Sequence, residues 1–116
     1  MAKYDDNITL RQILDHAREA VALVYGQDES VLDEDRVLYL AVTRLLSIVG
    51  EAATRLSQQR REELSEMSWR QIIGLRNVLM HAYDVIDNPT LGNILTKDLP
   101  QLIKKLEQLD LPKEAE

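Results

Sequence analysis

The sequence predicts an all-α protein that folds as an up-and-down antiparallel bundle of four to five helices. Residues that favour helices dominate the composition, whereas the 116 residues include only 4 glycines, 3 prolines and no phenylalanine. Apolar residues recur at helical spacing along several segments, and no segment alternates apolar and polar residues as a strand does. Because the connections between these segments are short, consecutive helices should pack as antiparallel neighbours.

Two long helices are predicted in the first half of the chain. Short polar side chains at residues 6–9 can cap the first helix, which should end near Gly26. After a polar loop, a second helix should begin between residues 30 and 35 and continue to about Gln58.

A charged connector over residues 59–67, with room for one or two helical turns, should lead into a third helix. Ser68 and Gln71 are spaced as a capping box, in which each side chain bonds to a backbone amide near the other residue. Trp69 is expected to anchor the start of this helix in the core, and the helix should continue to residues 82–83.

The last helix is predicted over residues 90–109. Asn88–Pro89 is typical of a helix start, with asparagine as the N-cap and proline in the first turn. Pro100 should kink or restart the helix near Asp98, because proline lacks an amide donor and crowds the preceding turn. A short polar tail covers residues 110–116.

Composition and charge argue against a metalloprotein, a DNA-binding protein and a secreted or membrane protein. The length predicts a single domain over residues 1–116. The absence of cysteine and the presence of only 2 histidines predict no metal site, and no cofactor is expected. A net charge of −6 argues against broad nucleic-acid binding, so no DNA partner is expected. No signal peptide is evident and no apolar stretch approaches the ~20 residues that span a bilayer, which favours a soluble, cytoplasmic protein without a membrane partner.

The segment from Arg76 to Tyr83 contains the candidate catalytic residues. On a helix each residue turns about 100°, so His81 lies about 140° around from Arg76, whereas Tyr83 returns to within about 20° of it. Arg76 and His81 would meet if the helix ended near His81, or if a second copy placed its own motif opposite.

Arginine, histidine and tyrosine suit phosphodiester chemistry. Histidine can exchange protons with a ribose 2′-hydroxyl or a leaving oxygen near neutral pH, and the arginine fork matches a phosphate. Because one chain offers one motif histidine, separate acid and base roles favour a dimer. Metal-independent cleavage of RNA is favoured over a two-metal mechanism. In the plainer alternative, His81 only complements the helix dipole and Arg76 is a solvated charge.

Two positions in the second helix bear on this segment. Gly50 costs roughly 1 kcal/mol relative to alanine in a helix, and close approach of a neighbouring helix would explain it. Glu51 could be a buried polar partner of an arginine such as Arg76, or a glutamate on the exposed face, and the sequence leaves both open. The other histidine, His16, lies among charged residues and is expected at the surface.

Three segments resemble the HepT-like branch of the HEPN superfamily: residues 48–52 (Ile-Val-Gly-Glu-Ala), residues 68–83 (Ser-Trp-Arg-Gln-Ile-Ile-Gly-Leu-Arg-Asn-Val-Leu-Met-His-Ala-Tyr) and residues 99–102 (Leu-Pro-Gln-Leu). The resemblance extends over about residues 6–109. It implies a helical homodimer whose two motifs face a shared cleft, and a ribonuclease toxin of a type VII-like toxin–antitoxin system. The RNA substrate, transfer RNA or messenger RNA, is not identified by it.

The resemblance also implies a role for each residue of the motif. Arg76 and His81 match the catalytic positions, and Asn77 is assigned to orienting His81 or the substrate phosphate. Tyr83 matches the tyrosine that a partner minimal nucleotidyltransferase, the antitoxin, adenylylates to silence the toxin. Glu51 is added from its position after Gly50, not from the resemblance, as a candidate supporting residue behind Arg76.

Two other interpretations compete with this one. In the first, the chain is a non-catalytic helical subunit that binds and positions a minimal nucleotidyltransferase, which the acidic net charge favours. In the second, it is a structural dimer module without a ligand, which leaves the motif unexplained. The intact Arg76–His81 pair favours the ribonuclease.

Overall fold

Every regular element in the described part of the chain is helical, as the sequence predicted. The computed structural model describes residues 5–28, 30–81 and 88–113, and the side chains of residues 77–81 and 88–90 lie outside that description. The helices are α1 (Asp6–Val24), α2 (Val31–Glu34), α3 (Arg36–Thr54), α4 (Gln58–Glu63), α5 (Trp69–His81), α6 (Asn88–Asn93) and α7 (Leu99–Glu107), and a π-helical turn (Ile94–Asp98) joins α6 to α7.

Helix α1 begins and ends where its sequence signals predicted. The Asp5 carboxylate accepts hydrogen bonds from the backbone amides of Asn7 at 2.9 Å and Ile8 at 3.3 Å, which supplies partners for two amides that no helical carbonyl can reach. Gly26 adopts a φ of +75° just beyond the end of the helix, in the left-handed region that glycine enters at little cost.

The second predicted helix begins at the late end of its expected range, because Asp35 caps α3, but it ends at Thr54 rather than near Gln58. Asp35 is extended and accepts from the amide of Leu38 at 3.0 Å, so it separates α2 from α3. Ser57 is also extended and accepts from the amide of Arg60 at 3.1 Å, which starts α4 in the charged connector. The helical turns expected in that connector are therefore present.

Helices α1 and α3 are antiparallel. The carboxylate of Asp6, the first residue of α1, accepts from the amide of Ser57 at 3.0 Å and from its hydroxyl at 2.6 Å, just beyond the end of α3. Between these ends the apolar stripes of both helices form a core that excludes water, with contributions from Leu10, Ile13, Ala17, Val42, Leu46, Val49 and Ala53. Helix α3 packs against both α1 and α5.

Trp69 anchors the start of α5, as predicted. Its side chain is 7% exposed, and its indole nitrogen donates to the carbonyl of Leu64 at 3.0 Å. The Ser68 carbonyl accepts from the amide of Ile72 at 3.0 Å, as an N-cap carbonyl does at a helix start. The side-chain half of the capping box stays a prediction.

The predicted irregularity before Pro100 is a π-helical turn that ends at Asp98, the residue where the helix was expected to kink or restart. Proline donates no amide hydrogen bond and its ring crowds the carbonyl one turn earlier, and a wider turn relieves that crowding. The helix therefore widens and continues into α7, whose Leu99, Leu102 and Leu106 are buried.

Helix α3 is more apolar than was expected from the sequence. It has 19 residues and a mean hydropathy of 1.4 over its most apolar window, which is long and apolar enough to cross a membrane by length and composition alone. The expectation that no stretch approached this length is therefore wrong for α3. Its inner face is fully buried at Val42, Leu46 and Val49, so the helix forms the centre of the protein's own core.

Candidate functional site

The site is organised by the point at which α3 and α5 touch. Gly50 is buried in α3. A Cβ atom placed on it would lie 2.7 Å from the backbone nitrogen of Arg76, 3.0 Å from the Arg76 Cβ and 3.1 Å from the Ile72 carbonyl oxygen. No side chain fits between the helices at this distance, so the close approach predicted for Gly50 is confirmed.

The residue after this glycine contacts the side chain of the same arginine. The Glu51 carboxylate oxygen Oε2 lies 2.5 Å from the Arg76 Nε atom. The predicted pairing of Glu51 with Arg76 is therefore present. The structure combines the two alternatives that the sequence left open, because Glu51 pairs with Arg76 while the Glu51 and Arg76 side chains are 43% and 40% exposed at the edge of the helix pair.

The exposure of the Glu51–Arg76 ion pair determines how strongly it holds the guanidinium and whether an anion can reach it. A solvent-exposed pair contributes roughly 0–1 kcal/mol, so it orients a guanidinium without locking it in place. Because the Arg76 side chain is 40% exposed, an anion in solution can reach it while Glu51 restrains its position. Arginine binds a phosphate through its planar fork, so the geometry suits reversible capture of a phosphate group.

For the other predicted site residues, Asn77, His81 and Tyr83, the structure describes the backbone of the first two and nothing of the third. The backbone of α5 continues through Asn77 to His81, so Arg76 and His81 belong to one helix. The side chains of Asn77 and His81, and all of Tyr83, lie outside the described residues. Their roles and their distances from Arg76 stay predictions.

The other histidine is held by the backbone of α1. The His16 Nδ1 atom lies 2.7 Å from the carbonyl oxygen of Gln12, and the residue is half-buried. His16 was expected to be exposed at the surface, and it is instead half-buried. In the described ranges, no cluster of three or more His, Cys, Asp or Glu residues is arranged to hold a metal ion.

A groove that the sequence did not signal runs beside α5. It has a volume of about 420 Å³ and lies between α5 and the π-helical turn with α7. Its walls mix apolar and charged side chains, among them Gln71, Ile72, Leu75, Asp98, Leu102 and Lys105. Ile72 belongs both to this groove and, through its carbonyl, to the contact with Gly50, so the groove and the Arg76 site lie on neighbouring faces of α5.

The family model described as Ribonuclease HepT-like matches residues 13–109, which include the whole α3–α5 crossing. The chain belongs to this family. The HepT-like chain is 32% identical over 107 residues to a Methanocaldococcus jannaschii protein named as a candidate RNase, MJ1380, and the match covers 92% of this chain and 98% of that protein.

Two further relatives carry ribonuclease names. A candidate RNase of Caldanaerobacter subterraneus subsp. tengcongensis, TTE0752, is 31% identical over 100 residues, which cover 86% of the HepT-like chain and 89% of the relative. A Thermococcus cleftensis protein named probable ribonuclease HepT is 29% identical over 103 residues, with 85% and 94% covered. No solved structure matches the HepT-like chain.

Proposed function

We propose that this HepT-like chain is an endoribonuclease that cleaves RNA without a metal ion and serves as the toxin of a type VII-like toxin–antitoxin system. The observation that carries the proposal is the Arg76 guanidinium, half-exposed and oriented by Glu51 beside the tight helix crossing, in a chain of the Ribonuclease HepT-like family. We assign phosphate binding to Arg76 and proton transfer to His81. The protein acts as a single domain in the cytoplasm, where its RNA substrate, transfer RNA or messenger RNA, is found.

The proposed reaction uses the nucleophile that RNA itself supplies. His81 removes the proton from a ribose 2′-hydroxyl, and the 2′-oxygen attacks the adjacent phosphorus. The bond from phosphorus to the 5′-oxygen breaks, and that oxygen takes a proton from a second histidine. The products are a 2′,3′-cyclic phosphate and a free 5′-hydroxyl. Arg76 stabilises the charge that builds on the phosphoryl oxygens, and Asn77 orients His81 or the phosphate.

The second histidine of this scheme requires a homodimer, and the outer face of α3 supports one. Val37 is 76% exposed and Leu40 is 49% exposed, and the helical repeat places both on the same face as Arg44 and Glu51. Apolar side chains exposed together are typical of an interaction surface. Arg44 and Glu51 have opposite charges, so a twofold axis between them makes the face complementary to itself. A second copy docked there would lie beside Arg76.

The proposed off-switch is adenylylation of Tyr83 by a minimal nucleotidyltransferase antitoxin. On a continuous helix Tyr83 would return to within about 20° of Arg76, so an attached AMP would bring its phosphate close to the guanidinium. The added bulk and negative charge would occupy the phosphate site. Mass spectrometry after co-expression with the antitoxin tests this switch. Adenylyl mass on the Tyr83 peptide is expected, and unmodified tyrosine in a silenced toxin would contradict it.

Expression without the antitoxin tests the toxin. We expect growth arrest with the wild type and normal growth with Arg76→Ala or His81→Ala at equal protein levels. Arg70→Ala is the matched control, because Arg70 is an exposed arginine on the same helix, and it should remain toxic. A harmless wild type that cuts no RNA would overturn the proposal.

A second candidate function is a non-catalytic subunit that binds and positions the nucleotidyltransferase. The net charge of −6 favours it, since an RNase benefits from positive steering of its substrate. In that case Arg76→Ala would weaken binding of the nucleotidyltransferase, and neither protein would cut RNA. The ribonuclease proposal expects Arg76→Ala to abolish cleavage while the complex still forms.

A further inference from the structure

We infer that Gly50 is a positioning residue for Arg76. By carrying no side chain it lets α5 cross α3 at a distance that brings the Arg76 guanidinium against Glu51 and holds it at the edge of the helix pair. The inference deepens the proposed ribonuclease function and rests on it for the effect on catalysis. The effect on the position of Arg76 can be measured without RNA.

The contacts at Gly50 cannot be relieved by rotating a side chain. A Cβ atom there would meet the backbone nitrogen of Arg76 at 2.7 Å, its Cβ at 3.0 Å and the carbonyl oxygen of Ile72 at 3.1 Å. All three atoms move only with the α5 backbone. Alanine at this position must therefore push α5 away from α3, at the residue that carries the phosphate-binding side chain.

The displacement is directed at the ion pair because Gly50 and Glu51 are consecutive in α3. A shift that separates Arg76 from Gly50 also changes the 2.5 Å contact between its Nε atom and the Glu51 carboxylate. A misplacement of about 1 Å in a catalytic geometry can cost about 100-fold in rate. A Cβ at Gly50 would therefore lower the rate of RNA cleavage without removing any group that contacts RNA.

The chain supplies a matched control for this substitution. Gly74 lies in α5, two residues before Arg76, and a Cβ there would meet no described atom within 4 Å. Gly74→Ala makes the same chemical change in a helix and leaves the crossing intact. General effects of adding a methyl group to a helix will appear in both variants, whereas displacement of Arg76 will appear only in Gly50→Ala.

The first measurement follows the Nε–Hε NMR resonance of Arg76, assigned by its loss in Arg76→Lys. In the wild type, Glu51→Gln should move this resonance, because it removes the charge that Nε contacts. In Gly50→Ala the resonance should already be displaced, and adding Glu51→Gln should move it much less. A resonance at the wild-type position in Gly50→Ala would overturn the inference, whether or not the protein cuts RNA.

The second measurement is RNA cleavage. Gly50→Ala should lower kcat at least about tenfold with KM within about threefold of the wild type, and Gly74→Ala should change neither by more than about twofold. Equal losses in both alanine variants would overturn the inference. A wild type that cuts no RNA would remove the proposed function, and the NMR comparison would still decide the position of Arg76.

A third variant decides the matter if Gly50→Ala does not fold. Glu51→Asp withdraws the carboxylate by one methylene at a half-exposed position and leaves the helix crossing untouched. It should displace the Arg76 resonance and lower kcat at least about fivefold. If Glu51→Asp moves neither the resonance nor kcat, the position of Arg76 does not depend on this contact, and the role inferred for Gly50 is wrong.

Discussion

At the scale of single residues, the Arg76 guanidinium is oriented by one exposed carboxylate beside a glycine that leaves no room for a side chain. Glu51 follows a glycine in an apolar stretch, and this context raised a pairing with Arg76 as one of two alternatives. The structure contains that pair. The exposure of the two side chains could not be predicted, because it depends on where α5 crosses α3.

Removing the charge of Glu51 should separate binding from catalysis. In Glu51→Gln we expect KM for RNA to fall about two- to fivefold, because a negative charge no longer competes with the phosphate for Arg76. We expect kcat to fall as well, because the guanidinium loses its restraint. Unfolding stability should change by less than about 1 kcal/mol, as for other exposed ion pairs. Steady-state kinetics and urea unfolding check this prediction, and an increase in KM would contradict it.

At the scale of helices, local signals predicted starts better than interruptions. Local signals were followed at three places: the start of α1 at residues 6–9, its end near Gly26, and the helical turns of the charged connector that contains α4. The short helix α2 and the break at Ser57 were missed, because a single turn of helix has little periodicity and serine also occurs inside helices. Ser57 begins a new helix where Asp6, 51 residues earlier in the chain, holds its amide and hydroxyl. No local pattern contains a contact of that range.

The contact between Asp6 and Ser57 should therefore stabilise the fold. Asp6→Ala should lower the free energy of unfolding by about 1–3 kcal/mol, because a part-buried amide and hydroxyl lose a charged acceptor. Asp15→Ala is the control on the same helix, since Asp15 pairs with Arg11 one turn away at 2.9 Å, and it should cost less than about 0.5 kcal/mol. Urea unfolding measures the free energy of unfolding of both variants. Equal losses in the two variants would contradict a stabilising role for the contact between Asp6 and Ser57.

At the scale of the whole molecule, the helical class and the order of the main helices followed from composition, apolar periodicity and capping signals. The groove beside α5 did not, because its shape depends on how α5 packs beside the π-helical turn and α7. The exposure of the outer face of α3 could not be predicted from the sequence either. The repeat of Val37 and Leu40 fits a buried stripe as well as an exposed one, and only the packed structure shows that they remain outside the core.

If this face joins two copies, charge placed on it should separate them. Val37→Glu and Leu40→Glu should shift the protein from dimer to monomer at micromolar concentration, because twofold symmetry brings like charges together. Leu23→Glu is the control, since Leu23 is 38% exposed on α1. Sedimentation should find the control dimeric. A wild type that is monomeric at this concentration would contradict the shared cleft.

The central claim is that Arg76 serves metal-independent cleavage of RNA. The most direct measurement is cleavage of a labelled RNA by the purified protein in excess EDTA, with wild type, Arg76→Ala and the Arg70→Ala control compared at equal folded concentration. We predict products with 2′,3′-cyclic phosphate ends from the wild type and the control, and a rate about 100- to 1,000-fold lower for Arg76→Ala. Cleavage that stops in EDTA, or that proceeds at the wild-type rate in Arg76→Ala, would contradict this account.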